Sequence, residues 1–322
     1  MHKVTNCRLC GTSLSEQSVF FQDQYVSDFV TKDNVTAGMK VPIDLCVCPG
    51  CSLVQQRWSA PQDFLYSLQY WYRSGVTDTM TTQLKDIVAS CIDEVSVTPS
   101  DVFLDIGAND GTMLSHVEGM KTVGIDPASN LFDSLNSNVD IASNDFWSAD
   151  VYDALRAKHD LPLAKVITAI GMFYDLEDPL KFVSDITRVL DDDGIFVAQL
   201  MTLEPMLETN DLGNLCHEHL EFYTYESLVY LFEKAGLEIY QVTENKTNGG
   251  SYRIFARKYQ KGSIQYGTRV GIKEVQAFKD RVDEIGTHLK RIIAEAIADN
   301  KTIHVLGAST KGNFILQYYE LD

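Results

Sequence analysis

The chain has 322 residues, enough for two or three domains with real cores, and its 45% hydrophobic and 22% charged content excludes a disordered, collagenous or disulfide-stapled protein. A formal charge of −18 repels phosphate backbones and anionic lipid, so nucleic acid and membrane surfaces are not expected partners. No stretch approaches the roughly 18 apolar residues of a membrane span, and Met1–Asn6 lacks the apolar core of a signal peptide, so a cytoplasmic monomer is expected.

Seven cysteines without an export signal point to thiol or metal chemistry ahead of a disulfide framework. Cys7 and Cys10 form one C-x-x-C, Cys48 and Cys51 another, and Gly11, Pro49 and Gly50 supply the turns. Two such turns bring four thiolates to one ion with no open position, which predicts a structural zinc site. Cys46, two residues before Cys48, is a competing ligand, while Cys91 and Cys216 read as core. Leu53–Gln55 then reads as the last strand of the zinc module and Pro61–Tyr66 as a linker turn.

An aromatic stretch, Tyr70-Trp71-Tyr72-Arg73-Ser74-Gly75, precedes a helical pattern from about Val76 to Val95, closed by Pro99. Strands and helices alternate from there: Val102–Gly107, Thr122–Asp126, Val139–Ser143, Lys165–Ile170 and Gly194–Leu200 are strand-like runs. That alternation predicts a doubly wound α/β sheet with right-handed crossovers. In the turn Asp105-Ile106-Gly107-Ala108-Asn109-Asp110-Gly111, the glycines Gly107 and Gly111 let a ligand approach backbone N–H groups. The next strand ends at Asp126, where a carboxylate would accept two ribose hydroxyls. Asn109 replaces the middle glycine of G-x-G-x-x-G, and Asp105 puts negative charge inside the turn. A pyrophosphate is unwelcome there, whereas S-adenosylmethionine carries a sulfonium and an ammonium and no phosphate. That cofactor is therefore preferred to a dinucleotide, the alternative being a turn that binds nothing.

After the third strand, Asp145 is placed to meet an adenine amine and Phe146 to cover the ring, with core packing as the alternative for Phe146. Gly171-Met172-Phe173-Tyr174 lies at the carboxyl edge of the sheet, the usual ligand position in such folds. Beyond the fifth strand, Cys216-His217-Glu218-His219-Leu220-Glu221 concentrates polar residues that rarely build core. Metal binding would use His217 and His219 on one face of an extended segment, but no third ligand is evident. General acid–base work is the other option, since imidazole titrates near neutrality and Glu218 can orient it. A helix around Glu226–Ala235 stops at Gly236; Leu237–Val242 and Ser251–Arg257 read as an antiparallel pair. Ile272 to Ile293 marks a long amphipathic helix ending near Asn300. Thr302–Gly307 then reads as a strand feeding the turn Gly307-Ala308-Ser309-Thr310-Lys311-Gly312-Asn313, the start of a third domain that the sequence does not complete.

Six features in this order resemble the sugar C-methyltransferases that act on nucleotide-linked keto-deoxysugars: the two knuckles, Tyr70–Ser74, the Leu104–Gly111 turn, His217–Leu220, Asn248–Arg253 and Gly307–Asn313. The resemblance spans the chain. It implies a Rossmann-like class I methyltransferase sheet, with an N-terminal zinc-binding module over 1–66, the cofactor-binding domain over 67–258 and the beginning of a C-terminal α/β substrate domain over 259–322. It implies His219 as the base with Glu218 beside it, and a role for Gly307–Asn313 in holding a nucleotide-sugar. The family tyrosine before His-Glu-His is Cys216 here. In such a reaction His219 would remove the proton next to a keto group, and Tyr72, Arg73, Tyr174 or Tyr223 would steady the enolate oxygen. Tyr70 would contact the sugar, and Lys311 and Arg253 its phosphates. The competing readings are an O-methyltransferase of a sugar or small metabolite, a nicotinamide oxidoreductase, and a zinc-binding adaptor with an inert methyltransferase fold.

Overall fold

A computed structural model describes residues 1–322 apart from 28–31, 35–37, 67–69, 71, 267–269, 307–308 and 322. The chain opens with β1 (His2–Lys3), β2 (Val19–Tyr25), β3 (Lys40–Val47), β4 (Val54–Gln56) and β5 (Trp58–Ser59). β1 pairs with β5, and β2, β3 and β4 form an antiparallel sheet. Where a linker turn was expected stands the short helix α1 (Gln62–Tyr66). α2 (Asp78–Ile92) starts where the Thr77 hydroxyl accepts from the Met80 N–H, and buries Leu84, Ile87, Val88 and Cys91 at helical spacing.

The central layer follows as β6 (Val102–Ile106), β7 (Lys121–Ile125), α3 (Phe132–Asn138), β8 (Ile141–Ser143), α4 (Ala149–His159), β9 (Ala164–Ile170), α5 (Pro179–Val189) and β10 (Leu190–Met201). α6 (Leu203–Thr209), β11 (Glu221–Phe222), α7 (Tyr225–Lys234), β12 (Leu237–Asn245) and β13 (Ser251–Lys258) complete it. The sheet order is β12-β13-β10-β9-β6-β7-β8, with β6 to β10 parallel and β13 antiparallel to both neighbours. Residues of β6 and β9 are buried almost throughout, as strands covered on both faces must be. Helix starts are locally encoded: Asp178 caps α5 ahead of Pro179, and Thr224 and Ser227 form a capping box on α7. Strand order reverses between β6 and β9, and ligands in open α/β sheets bind outside the carboxyl ends at such a point.

β11 does not join this sheet. It pairs with β4, giving the N-terminal sheet the order β11-β4-β3-β2 and stitching the segment after His219 to the cysteine-bearing region. The C-terminal helices α8 (Ile272–Ala298) and α9 (Thr310–Tyr318) pack on β2, so that Phe21, Ile43 and Leu45 share a core with Phe278, Val282 and Phe314. The strand expected over Thr302–Gly307 is not formed: residues 301–306 carry no ladder and are exposed, Leu306 fully. An apolar run becomes a strand only beside a partner, and none of the described strands lies there. Gly307 and Ala308 of the late turn, and Trp71 of the aromatic stretch, lie outside the described residues. No helix among the described residues is long and apolar enough to cross a membrane.

Candidate active site and metal centre

The two knuckles converge. The sulfurs of Cys7, Cys10, Cys48 and Cys51 all lie within 4.8 Å of one another, with Cys7 to Cys51 at 3.6 Å and Cys10 to Cys48 at 3.4 Å. Zn–S bonds of about 2.3 Å place tetrahedral sulfurs about 3.8 Å apart, so this donor set fits a zinc ion with four protein ligands. The backbone is shaped for it: the Gly50 N–H donates to Cys48 Sγ, and a methyl on Gly50 would sit 2.7 Å from Thr12 Oγ1. Cys46 is outside the cluster, its thiol directed at the Gln55 carbonyl at 3.5 Å.

At the carboxyl ends of β6 and β7, Gly107, Asn109 and Gly111 adopt positive φ, which only the glycines take without strain. Asp126 is buried, and its two oxygens accept the Asn109 N–H and the Ala128 N–H, each at 2.8 Å. A carboxylate has about four lone-pair directions, so two stay free for the two hydroxyls of a ribose. Burial raises the Asp126 carboxyl despite these two bonds. Asp105, 4% exposed, accepts the Thr168 hydroxyl at 2.7 Å, and burial pushes its carboxyl up to about 8. Gly107 must lack a side chain because a methyl there would lie 3.0 Å from Met172 Cγ. The aromatic stretch closes over the turn: the Asn109 amide donates to the Tyr72 carbonyl and accepts from the Ser74 N–H, and the Gly75 N–H donates to Asp110. Tyr70 is tied through its backbone to both ends of the Asn130 amide. Asp145 accepts the Ser143 hydroxyl at 2.5 Å, and Phe146 is 48% exposed beside it, so its ring is not core. The carboxylates and turn thus fit a cationic, ribose-bearing cofactor.

The His-Glu-His segment is a turn, not an extended run. The His219 N–H donates to the Cys216 carbonyl, which sends the two imidazoles to different partners. His217 Nε2 donates to the Val41 carbonyl at 2.9 Å, and His219 Nδ1 donates to the Asn214 carbonyl at 2.8 Å. They therefore share no face for a common metal. The Asn214 bond fixes the proton on Nδ1 and leaves Nε2 as the basic nitrogen, with no hydrogen-bond partner among the described residues. Burial, first, and then the Lys311 charge lower the imidazole to about 4, with the Asn214 bond opposing them. The Tyr174 ring meets the imidazole edge-on at 4.4 Å.

Behind the imidazole is a cavity of about 10 Å3, room for one water, lined in part by Thr202, Asn214 and Glu221. Each of these three carries a buried polar atom with no hydrogen-bond partner among the described residues (Thr202 Oγ1, Asn214 Oδ1, Glu221 Oε1), although Glu221 Oε1 faces the Arg8 guanidinium at 3.8 Å. Glu218 is half-buried and has one unpartnered oxygen; Asp175, next to Tyr174, has another. Burial raises both carboxyls, and in Asp175 the charges of Glu218 and Glu221 add to it. Asp175, Asn214 and Thr168 were not foreseen from sequence: a backbone carbonyl leaves no signature, and a lone Asp in a loop or a lone Thr inside a strand gives little.

Other expected residues fall elsewhere. Arg253 is not brought to His219; its guanidinium is held by Gln199, Ser90 and Asp86 against α2, because its place in β13 directs it to that face. Tyr223 is fully buried and packs on Phe173 at 5.6 Å, so it is core beneath the site and cannot touch a substrate. The Tyr174 hydroxyl is committed to the Gly171 carbonyl at 2.8 Å. Tyr72 and Arg73 are exposed near the turn, while Lys311 pairs with Asp211 at 3.3 Å and lies close enough to influence His219.

Comparison with known proteins agrees with this geometry. Residues 79–242, just over half of the chain, match the methyltransferase domain family; 7–66 match a zinc binding domain and 246–322 a C-methyltransferase C-terminal domain. The chain is 25% identical to the C-methyltransferase NovU of Streptomyces niveus over 332 aligned positions, covering 97% of this chain and 78% of that one. Among solved structures it is similar to an S-adenosylmethionine-dependent methyltransferase from Clostridium acetobutylicum (TM-score 0.41, 10% identity, 56% of this chain and 92% of that one). It is likewise similar to the magnesium protoporphyrin IX methyltransferase of Synechocystis PCC 6803 (TM-score 0.43, 10% identity, 58% and 90%).

Proposed function

Because the chain belongs to the methyltransferase family and is an S-adenosylmethionine-dependent C-methyltransferase with an N-terminal zinc-binding domain, we propose that it methylates the carbon next to the keto group of a nucleotide-linked deoxysugar, with His219 as the base. The observation that carries this reading is the imidazole itself: Nδ1 is held by Asn214 and Nε2 has no hydrogen-bond partner among the described residues, so one defined lone pair is available to take a proton. A carbon acid needs such a base, because only a neighbouring carbonyl, delocalising the charge as an enolate, makes a sugar C–H removable. A hydroxyl or ammonium donor set for that enolate oxygen is the second requirement. Lys311, close enough to act on His219, and Tyr72, close enough to act electrostatically on the neighbouring Tyr174, would be such donors, and Lys311 would also meet the phosphates of the nucleotide.

Asp105, Gly107, Asn109, Gly111 and Asp126 would hold the cofactor, with Asp145 and Phe146 at its adenine end. When bound, S-adenosylmethionine supplies an electrophilic methyl group at the rim. The half-buried Glu218 holds the turn through its backbone carbonyl, which accepts the Tyr66 hydroxyl at 3.1 Å. The same reading assigns residues 1–66 to the zinc-binding module, 67–258 to methyl transfer and 259–322 to the substrate side.

The test is direct. Candidate keto-deoxysugar nucleotides are incubated with protein and cofactor, and the product is weighed by mass spectrometry. A gain of one CH2, with loss of deuterium placed on the carbon next to the keto group, is expected. Retention of that deuterium in a methylated product would move the reaction to oxygen and overturn the proposal.

A further inference from the structure

Two late motifs, the glycines after Asn248 and the turn carrying Lys311, meet at one carboxylate. Asp211 follows α6 and starts the short turn Leu212–Asn214. Its Oδ2 accepts from the Asn214 side-chain amide at 2.9 Å and from Lys311 Nζ at 3.3 Å. Gly249, at φ +92°, presses on the same oxygen: a methyl there would lie 2.6 Å from Asp211 Oδ2. Gly213, in the middle of the turn, is covered by α9, where a methyl would lie 2.8 Å from Lys311 Cβ. The turn is thus clamped from two sides, and its last residue, Asn214, offers the carbonyl that receives His219 Nδ1.

We infer that Asp211 is a positioning residue for His219: by holding the Asn214 side chain it aims the Asn214 carbonyl, which fixes the imidazole as the Nδ1–H tautomer, and it ties that alignment to Lys311. The physical basis is simple. Which ring nitrogen carries the proton is decided by the partner of the other, and a carbonyl at the end of a three-residue turn keeps its direction only if the turn is pinned. Asp211 pins it by bonding three residues ahead, in parallel with the Asn214 N–H to Asp211 carbonyl bond at 3.3 Å. A diphosphate that engages Lys311 competes with Asp211 for the same ammonium, so substrate binding and base alignment act through one group. The catalytic part of this inference rests on His219 being the base; the tautomer part does not.

The full chain, labelled with 15N at histidine, reports the tautomer of His219 by NMR of the ring nitrogens, the signals being assigned with His219→Gln. Protonated Nδ1 is expected in the native protein and in Asp211→Asn, which keeps an acceptor for Asn214. Asp211→Ala should give a mixture with protonated Nε2 and a kcat lowered about tenfold or more, while Asp211→Asn restores kcat to within about threefold. If Asp211→Ala fails to fold, Asn214→Ala removes the same bond from the other side and is read in its place. Nδ1–H retained without exchange in the Ala variant would overturn the inference. A shifted tautomer with methyl transfer unchanged would uphold Asp211 as a positioning residue and refute His219 as the base.

Discussion

Asp105 is the residue on which the cofactor argument can be tested without knowing the substrate. It lies one residue before the end of β6, is 4% exposed, and accepts the Thr168 hydroxyl at 2.7 Å. Burial is the main cause of the rise of its carboxyl from 3.8 to about 8; the Thr168 bond opposes it and the Asp126 charge adds to it. At pH 7 the group is therefore mostly protonated in the free protein. A ligand bearing a sulfonium and an ammonium favours the carboxylate, so binding at pH 7 should release about 0.9 proton, falling toward zero by pH 10. Calorimetry in buffers of different ionisation enthalpy counts that proton. The same residue makes a stability prediction. Because its folded value lies above its unfolded one, the stability it contributes is complete below 3.8 and is lost as pH rises through about 8. By pH 7 the loss approaches about 4 kcal/mol as an upper limit. Asp105→Asn keeps the shape and cannot ionise, so in urea it should be more stable than the native chain at pH 8, match it near pH 4, and bind S-adenosylmethionine about a hundredfold more weakly. Proton-neutral cofactor binding, or a stability difference that does not change with pH, would refute the reasoning.

The remaining predictions use the other parts of the molecule. His219→Ala should lower methyl transfer at least about a hundredfold while leaving the calorimetric affinity for S-adenosylmethionine within about twofold. In the native protein the acid limb of kcat/KM should fall near pH 4 to 5, well below the ordinary 6.5 of histidine, since burial lowers the imidazole to about 4. Atomic absorption should find one zinc per chain, and Cys48→Ser or a strong chelator should remove it and lower the melting temperature, because the metal joins both knuckles. Glu238 is buried, which alone would raise its carboxyl, but three backbone N–H groups at Gln260, Lys261 and Gly262 and the Arg257 guanidinium bring it down to about 2. Its stabilisation is present above the unfolded value of 4.5 and is lost as pH falls toward 2, so Glu238→Gln should cost about 3 kcal/mol at pH 7 in urea unfolding and nothing near pH 2.

What the sequence disclosed was what depends on local spacing. The two C-x-x-C pairs, the Gly107–Gly111 turn and the buried runs of β6, β7 and β9 each announce themselves within a few residues, because thiol reach, positive φ and burial on both faces are short-range demands. The capping Thr224 and the stop at Gly236 bound α7 for the same reason. What stayed hidden was set by distant partners. Glu221–Phe222 is a strand only because β4 lies beside it, and Thr302–Leu306, with a better strand composition, forms none beside the described strands. Arg253 has the chemistry of a phosphate ligand and the position of an anchor for α2; composition reveals the first and only the register of β13 the second. His219 stood out in the sequence as a candidate base, yet the group that selects its tautomer is a backbone carbonyl, which every residue possesses.

The pairing of β11 with β4 explains why a metal module belongs on this enzyme at all. The segment that bears His219 is held in part by the N-terminal sheet: the Gln56 N–H donates to the Leu220 carbonyl at 2.9 Å, the Gln56 side chain to the Cys216 carbonyl at 3.1 Å, and His217 to the Val41 carbonyl at 2.9 Å. Gln56 is in turn fixed by Arg8, which sits in the first knuckle between two zinc-binding cysteines and donates to the Gln56 carbonyl and to Ser59 Oγ. The Arg8 guanidinium is almost wholly buried and faces Glu177 at 3.4 Å and Glu221 at 3.8 Å. Removing one partner of such a buried pair typically costs 3–5 kcal/mol, far more than a surface ion pair contributes, so the knuckle and the base segment are energetically one unit. Two short loops could not hold Arg8 in place without a core of their own. A tetrahedral ion supplies that rigidity in a few residues, and the imidazole inherits it through Gln56. Loss of zinc should therefore reach His219 before it reaches Asp105 in β6 and Asp126 just after β7.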